Sequence, residues 1–78
     1  MLKIKDNVDL KELEKFGFIP EIYCGDRAYE KKYTKGFYKE YIIIWWKDRE
    51  IQVRYNGQIL LDTIYDLIKA DMVEKVEK

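Results

Sequence analysis

The stretch from Phe37 to Asn56 constrains the fold most, because it is typical of a β-hairpin with large apolar side chains on both of its faces. Phe37–Trp46 and Glu50–Tyr55 are the predicted strands, and Lys47-Asp48-Arg49 is the predicted connection. Successive side chains of a strand point to opposite faces, so the run Tyr41–Trp46 supplies bulky groups to both. One apolar face joins a core. The other must be covered by the chain itself or by another molecule.

A two-residue turn at Asp48-Arg49 predicts the register of this hairpin. It pairs Trp46 with Ile51 and Ile44 with Val53. A three-residue turn would slip the register by one residue, and the sequence leaves that alternative open. With the two-residue turn, the face that joins the core and lies under two helices carries Ile42, Ile44, Trp46, Ile51, Val53 and Tyr55.

The opposite face of the hairpin carries Tyr41, Ile43 and Trp45 beside Gln52 and Arg54. Two interpretations remain open for it. A helix or the amino-terminal segment covers it, or it is a binding surface, since aromatic residues and arginine are enriched at protein interfaces. In the second case the candidate partner-binding residues are Tyr41, Ile43, Trp45 and Arg54, and an unpaired edge of the sheet is the other docking surface that stays open. The partner would be another protein or a second copy, because symmetric dimers are common. A self-associating structural protein is a further alternative.

Capping residues and apolar spacing predict two helices. Asp9 is a suitable N-cap and Gly17 a suitable left-handed residue after the first helix, Leu10–Phe16. The second helix, Gln58–Ala70, is expected to end with Asp71 in the left-handed region. Its predicted buried stripe consists of Leu61, Ile64, Tyr65 and Ile68, flanked by Leu60 and Leu67.

These elements predict one small α+β domain over residues 1–78, an antiparallel β-meander with two helices. The order is β-α-(β)-β-β-β-α-β, and the first and last strands are free to pair. Cys24-Gly25-Asp26 and Lys35-Gly36 are the predicted turns. The strands outside the hairpin are Leu2–Lys5, a possible strand Ile22–Cys24, Ala28–Thr34 and Met72–Val76.

The composition excludes several kinds of catalytic and metal site. The chain has no histidine and no serine, so Ser–His and Cys–His nucleophiles are impossible. A single cysteine, Cys24, cannot assemble a zinc site or an internal disulfide. Carboxylate or lysine chemistry stays open, but no motif supports it, so we expect a non-enzymatic protein without a cofactor. A single cysteine does not require an oxidising compartment, so we expect a location in the cytoplasm. We expect no membrane partner, since the apolar run Tyr41–Trp46 is far too short to span a bilayer.

A nucleic-acid-binding surface is the alternative reading of the middle of the chain. Basic residues outnumber acidic ones between Arg27 and Lys39, although the formal net charge of the whole chain is zero. Stacking aromatics beside cations are typical of sheets that bind single strands. Lysines also keep sheet edges from aggregating, which is the structural explanation of the same pattern. The candidate residues for this alternative are Tyr29, Lys31, Lys32, Tyr33 and Lys39.

Both ends of the chain, LKIKDNVDLKELEKFGF at Leu2–Phe18 and LDTIYDLIKADMVEKV at Leu61–Val76, suggest a relationship. They resemble small uncharacterised proteins of phages and prophages of low-GC Gram-positive bacteria. The resemblance covers under half of the chain, and Asp71 stands where that group would have glycine. It implies a phage protein that binds and inhibits a host or defence factor. The group has no assigned activity that the resemblance could imply for this chain.

Overall fold

The computed structural model describes residues 1–54 and 59–76, which form an α+β fold with the predicted order of elements. A 3₁₀ helix spans Leu10–Phe16 and an α-helix, α1, spans Leu61–Lys69. None of the described helices is long and apolar enough to cross a bilayer. The strands are β1 Leu2–Ile4, β2 Ile19–Tyr23, β3 Asp26–Lys35, β4 Tyr38–Trp45, β5 Ile51–Arg54 and β6 Val73–Lys75.

Strands β2 to β5 form an antiparallel four-stranded sheet in sequence order. Strands β1 and β6 form a separate antiparallel pair, as predicted, with Lys3 opposite Glu74. An isolated bridge between Lys3 and Glu50 connects this pair to the chain just before β5. The amino-terminal strand therefore lies beside the start of β5.

Two tight turns hold the meander together. Cys24 and Gly25 have φ angles of 50° and 85° between the paired residues Tyr23 and Asp26. Positive φ at both central residues is the mirror-image turn that matches strand twist. The strand before it is longer than predicted and ends at Tyr23. The next turn places Gly36 at φ 60° and leaves Phe37, predicted to begin a strand, fully exposed beside it.

The predicted register between β4 and β5 is wrong by two residues. Ile44 pairs with Ile51 and Ile42 pairs with Val53, whereas the two-residue turn placed Val53 opposite Ile44. Because the shift is even, each side chain keeps its predicted face. Ile51 is buried, but Val53 is 42% exposed. The predicted places of Tyr55, Asn56-Gly57 and Gln58 lie outside the described residues.

The connection at residues 46–50 explains this shift. Arg49 adopts φ 60°, and its N–H donates to the Trp45 carbonyl at 2.9 Å. Its guanidinium donates to the carbonyls of Lys5 and Val8 at 2.8 and 2.7 Å. The Ile4 N–H in turn donates to the Arg49 carbonyl at 2.9 Å. Contacts with the amino-terminal segment thus shape a longer connection than local turn chemistry predicts.

The first predicted helix forms over the predicted residues, as a 3₁₀ helix. The Asp9 carboxylate accepts from the Lys11 N–H at 3.0 Å, and Gly17 adopts φ 89°. The Phe18 N–H donates to the Leu13 carbonyl at 3.3 Å, as in a helix closed by a left-handed residue. Leu13 and Phe18 are both buried in the core.

Helix α1 ends as predicted, with Asp71 at φ 59°, but it presents a different stripe to the core. Ile64 and Leu67 are buried together with Thr63. Leu61, Tyr65 and Ile68, which the predicted stripe placed inward, are 40%, 54% and 48% exposed. The helix is apolar over a wide arc, so periodicity alone does not determine which part of that arc is buried.

A buried carboxylate from the sheet caps the start of α1, where Leu60 offers no side-chain acceptor. Glu40 in β4 is fully buried and accepts from the N–H groups of Ile59 and Leu60, each at 2.9 Å, and from the Tyr38 hydroxyl. Burial alone would raise the pKa of this carboxyl. The hydrogen bonds from Tyr38, Leu60 and Ile59 outweigh burial and hold the pKa below its ordinary value.

Both helices pack on one side of the sheet, which we call the covered face. Lys31 joins them, because its ammonium donates to the Phe16 carbonyl and to the Thr63 hydroxyl, both at 2.8 Å. The Tyr29 hydroxyl donates to Glu14 of the 3₁₀ helix at 3.0 Å. The covered face carries Tyr29, Lys31, Tyr33, Glu40, Ile42, Ile44 and Ile51.

Candidate functional site

The other side of the four-stranded sheet, the open face, has neither helix packed on it in the part of the chain that the structure describes. The described side chains that line its central depression belong to β2 to β5. Strand alternation places these side chains opposite the covered face. The open face carries Tyr23, Glu30, Lys32, Tyr41, Ile43, Trp45 and Arg54.

Aromatic rings lie at the centre of the open face. The rings of Tyr23 and Trp45 meet edge to face with centroids 5.6 Å apart. Ile43 is only 5% exposed, so it forms the floor of the depression. Tyr41 and Trp45 remain half-buried, and they are the side chains that a partner would contact.

A hydrogen bond fixes Tyr23 against the sheet. Its hydroxyl donates to the carboxylate of Glu30, which is itself 8% exposed. Burial first, then the hydrogen bond and the negative charge of Glu30, raise the pKa of Tyr23 well above its ordinary value. The phenol therefore stays protonated and donates to Glu30, which holds the ring against the sheet.

Charge is unevenly distributed over the open face. Glu21 and Asp26 lie near the end formed by the β2–β3 turn, with Lys47 4.0 Å from Asp26. Lys32 and Arg54 lie on either side of Tyr41 in one cross-strand row farther along the sheet. The row of Ile43, with Trp45 and Tyr41 on either side of it, therefore lies between an acidic end and a basic end.

The structure brings together the four predicted partner-binding residues, Tyr41, Ile43, Trp45 and Arg54. Arg54 donates to the Gln52 amide oxygen at 3.3 Å. The ammonium of Lys47 lies 5.7 Å from the centre of the Trp45 ring. Whether these residues bind a partner stays a prediction.

The residues of the nucleic-acid alternative are divided between the two faces. Tyr29 is 3% exposed and stacks against Trp46, and Tyr33 packs against the core. Lys31 is bound to the two helices. Only Lys32 and Lys39 belong to the open face. The predicted aromatic and basic surface is therefore not formed, because consecutive residues of β3 alternate between the faces.

Sequence reasoning missed Tyr23 and Glu30 as members of the open face. Their position depends on the register of β2 with β3, where Ile19 pairs with Glu30 and Tyr23 pairs with Asp26. A two-residue mirror-image turn at Cys24-Gly25 would have predicted that register, because such a turn places Tyr23 directly opposite Asp26.

Comparisons of this chain with protein-family models, with curated proteins and with solved structures found no match.

Proposed function

We propose that this protein is a non-enzymatic, cytoplasmic binding domain whose open face docks on another protein. The observation that supports it most is the packing of both helices on the covered face, which leaves aromatic side chains on the other. Half-buried Tyr41 and Trp45 beside an exposed Arg54 form the kind of surface in which binding energy concentrates.

We favour docking through the open face over docking at the edge of the sheet that β2 forms. Strand addition at an edge requires a row of free N–H groups. The edge strand β2 contains Pro20, which has no N–H to offer. We therefore assign docking to side chains of the face, and we propose that binding acts by steric occlusion of the partner.

We further propose that the partner is a host or defence factor and that the protein is phage-encoded. The resemblance of the chain ends to phage and prophage proteins supports this context. A rigid, preformed face suits an inhibitor, since tight blocking of a surface does not require chemistry by the blocking protein.

Paired substitutions test the docking face. Tagged wild-type protein and the variants Trp45→Glu and Tyr65→Glu are compared for proteins that they retain from a Gram-positive lysate treated with nuclease. Trp45 lies on the open face, and Tyr65 is an exposed aromatic residue of α1 that serves as the matched control. A retained protein is then purified, and its affinity for each variant and its own activity are measured.

We expect Trp45→Glu to lose binding by at least about a hundredfold, as for a central interface aromatic, while Tyr65→Glu binds like the wild type. Far-UV circular dichroism checks that both variants fold. Equal binding by wild type and Trp45→Glu would contradict docking through the open face. Capture that disappears with nuclease, and falls steeply with added salt, would instead favour the nucleic-acid alternative.

A further inference from the structure

The distribution of charge on the open face points to its occupant in the free protein. We propose that a second copy of this chain covers it, forming a two-fold dimer in which the open faces meet. This inference depends on the proposed function only in taking the open face as the binding surface. The partner of the proposed function would then compete with the dimer.

A two-fold axis running across the strands makes the charged ends complementary. The row of Lys32, Tyr41 and Arg54 and the row of Glu21, Ala28 and Trp45 lie on either side of Ile43. The rows are four residues apart along β3, or ~13 Å at the rise of a strand. An axis through the Ile43 row reverses the strand direction of the second copy, so its acidic end lies over the basic end of the first.

The same axis matches the apolar side chains. Tyr41 and Trp45 lie two residues before and after Ile43 in β4, so each ring meets the other type of ring in the second copy. Ile43 and Ala28 are 5% and 0% exposed, which leaves a flat floor between the aromatic side chains. Two sheets pack face to face in this way at a spacing of about 10 Å.

Two charged groups oppose the arrangement. Lys47 lies 4.0 Å from Asp26 and reduces the negative charge of that end, but it leaves Glu21 unaffected. Glu30 lies in the row of the axis, so the axis brings the Glu30 carboxylates of the two copies toward each other, although each is buried and accepts a hydrogen bond from Tyr23. A face of four short strands is also small for an interface. The expected dimer is therefore weak, with a dissociation constant of micromolar order or above, and it weakens as salt screens the charges.

A charge swap tests this dimer. Sedimentation equilibrium is measured from about 1 µM to about 500 µM, a range that brackets a micromolar dissociation constant. The proteins are the wild type, Lys32→Glu, Glu21→Lys and the double variant. In a two-fold dimer each single variant brings like charges together at both contacts. Mixing the two single variants, or combining them in one chain, restores opposite charges at both contacts.

We expect each single variant to weaken dimerisation by at least about tenfold, and the mixture and the double variant to restore it. Lys11 is an exposed residue of the 3₁₀ helix, so Lys11→Glu should leave the dissociation constant of the dimer unchanged. Circular dichroism melting shows whether each variant is folded. A second wild-type series at high salt should shift toward monomer.

A wild type that is monomeric at every concentration would overturn the proposal. So would a dimer that the two charge reversals leave intact, or a mixture no better associated than its components. These outcomes are separate from failure of the proposed function. A monomeric wild type whose partner binding is lost in Trp45→Glu would refute the dimer alone. A charge-swappable dimer with no other protein bound would refute only the docking on another protein.

Discussion

The two faces of the four-stranded sheet have similar side chains and opposite roles in the fold. On the covered face, the charged groups Lys31 and Glu40 are each bound to helix backbone or to a helix side chain. On the open face, Lys32 is an exposed cation beside half-buried Tyr41. Both faces have isoleucines and large aromatic rings, so apolar content does not distinguish them.

The difference lies in how each face uses its polar atoms. Burying a polar group is costly unless a hydrogen bond compensates. Glu40 accepts hydrogen bonds from the start of α1, and Lys31 donates to the 3₁₀ helix. The covered face therefore needs both helices in place. On the open face Glu30 accepts a hydrogen bond from Tyr23 of the same sheet. The buried carboxylate of this face therefore needs neither helix as a partner.

The largest expected contrast is between adjacent isoleucines on opposite faces. Ile44→Ala should reduce the free energy of unfolding by about 3 kcal/mol, because it leaves a cavity in the core. Ile43→Ala should cost only about 1.5 kcal/mol, since Ile43 lies under an open depression rather than inside the core cluster that contains Ile44. Urea denaturation of both variants measures the difference. Equal losses would contradict the distinction between a core position and the floor of an open depression.

The next contrast compares the two buried carboxylates, each of which accepts from a tyrosine hydroxyl. Glu40→Gln should lower Tm clearly and reduce far-UV helical signal, because a neutral amide is a poorer acceptor for the N–H groups at the start of α1. Glu30→Gln should lower Tm less and leave the helical signal unchanged. Melting curves followed by circular dichroism distinguish them. A larger effect at Glu30 would show that the open face is the more cooperative one.

A smaller contrast is expected between neighbouring lysines of β3. Lys31→Ala should cost about 1.5 kcal/mol, because the Phe16 carbonyl and the Thr63 hydroxyl lose a charged donor. Lys32→Ala should change stability by less than about 0.5 kcal/mol, as for an exposed side chain. Chemical denaturation measures both. If Lys32→Ala proved the more destabilising, the Lys32 ammonium would make a stabilising hydrogen bond or ion pair in solution.

The smallest expected effect is the response to acid. The pKa of Glu40 is lower in the folded protein than its ordinary value of 4.5, so its ionisation stabilises the fold above that pH. This contribution should decline as pH falls below about 4.5 and be lost once pH passes the folded pKa. Stability measured against pH should therefore fall less steeply in Glu40→Gln. Identical profiles for the variant and the wild type would assign the acid response to other carboxyls.

Local signals in the sequence predict the order of elements and several boundaries. Asp9 and Gly17 bound the 3₁₀ helix, and Asp71 ends α1, because each residue type suits one backbone conformation. The four proposed partner-binding residues follow from strand alternation alone. They stay on one face although the register was wrong, since the error was an even number of residues.

The features that sequence reasoning missed depend on distant contacts. The β4–β5 connection takes its shape from bonds between Arg49 and the carbonyls of Lys5 and Val8. The orientation of α1 places Thr63 inward, where its hydroxyl accepts from Lys31 of β3. The N–H groups just before α1 donate to Glu40, which belongs to β4. No local pattern contains these bonds, so neither the register nor the buried stripe was predictable from periodicity.

The adjacent tryptophans report on different parts of the molecule. Trp46 lies between Arg27, 4.1 Å from its ring centre, and Tyr29 of the core, whereas Trp45 stands on the open face beside Tyr23. Indole fluorescence depends on the polarity of its surroundings, and replacing either ring by phenylalanine leaves a single indole in the chain. With Trp45 alone the indole emission would follow occupancy of the face, and with Trp46 alone it would follow melting of the core. If the open face binds as proposed, the two variants would give separate optical signals for binding and for folding.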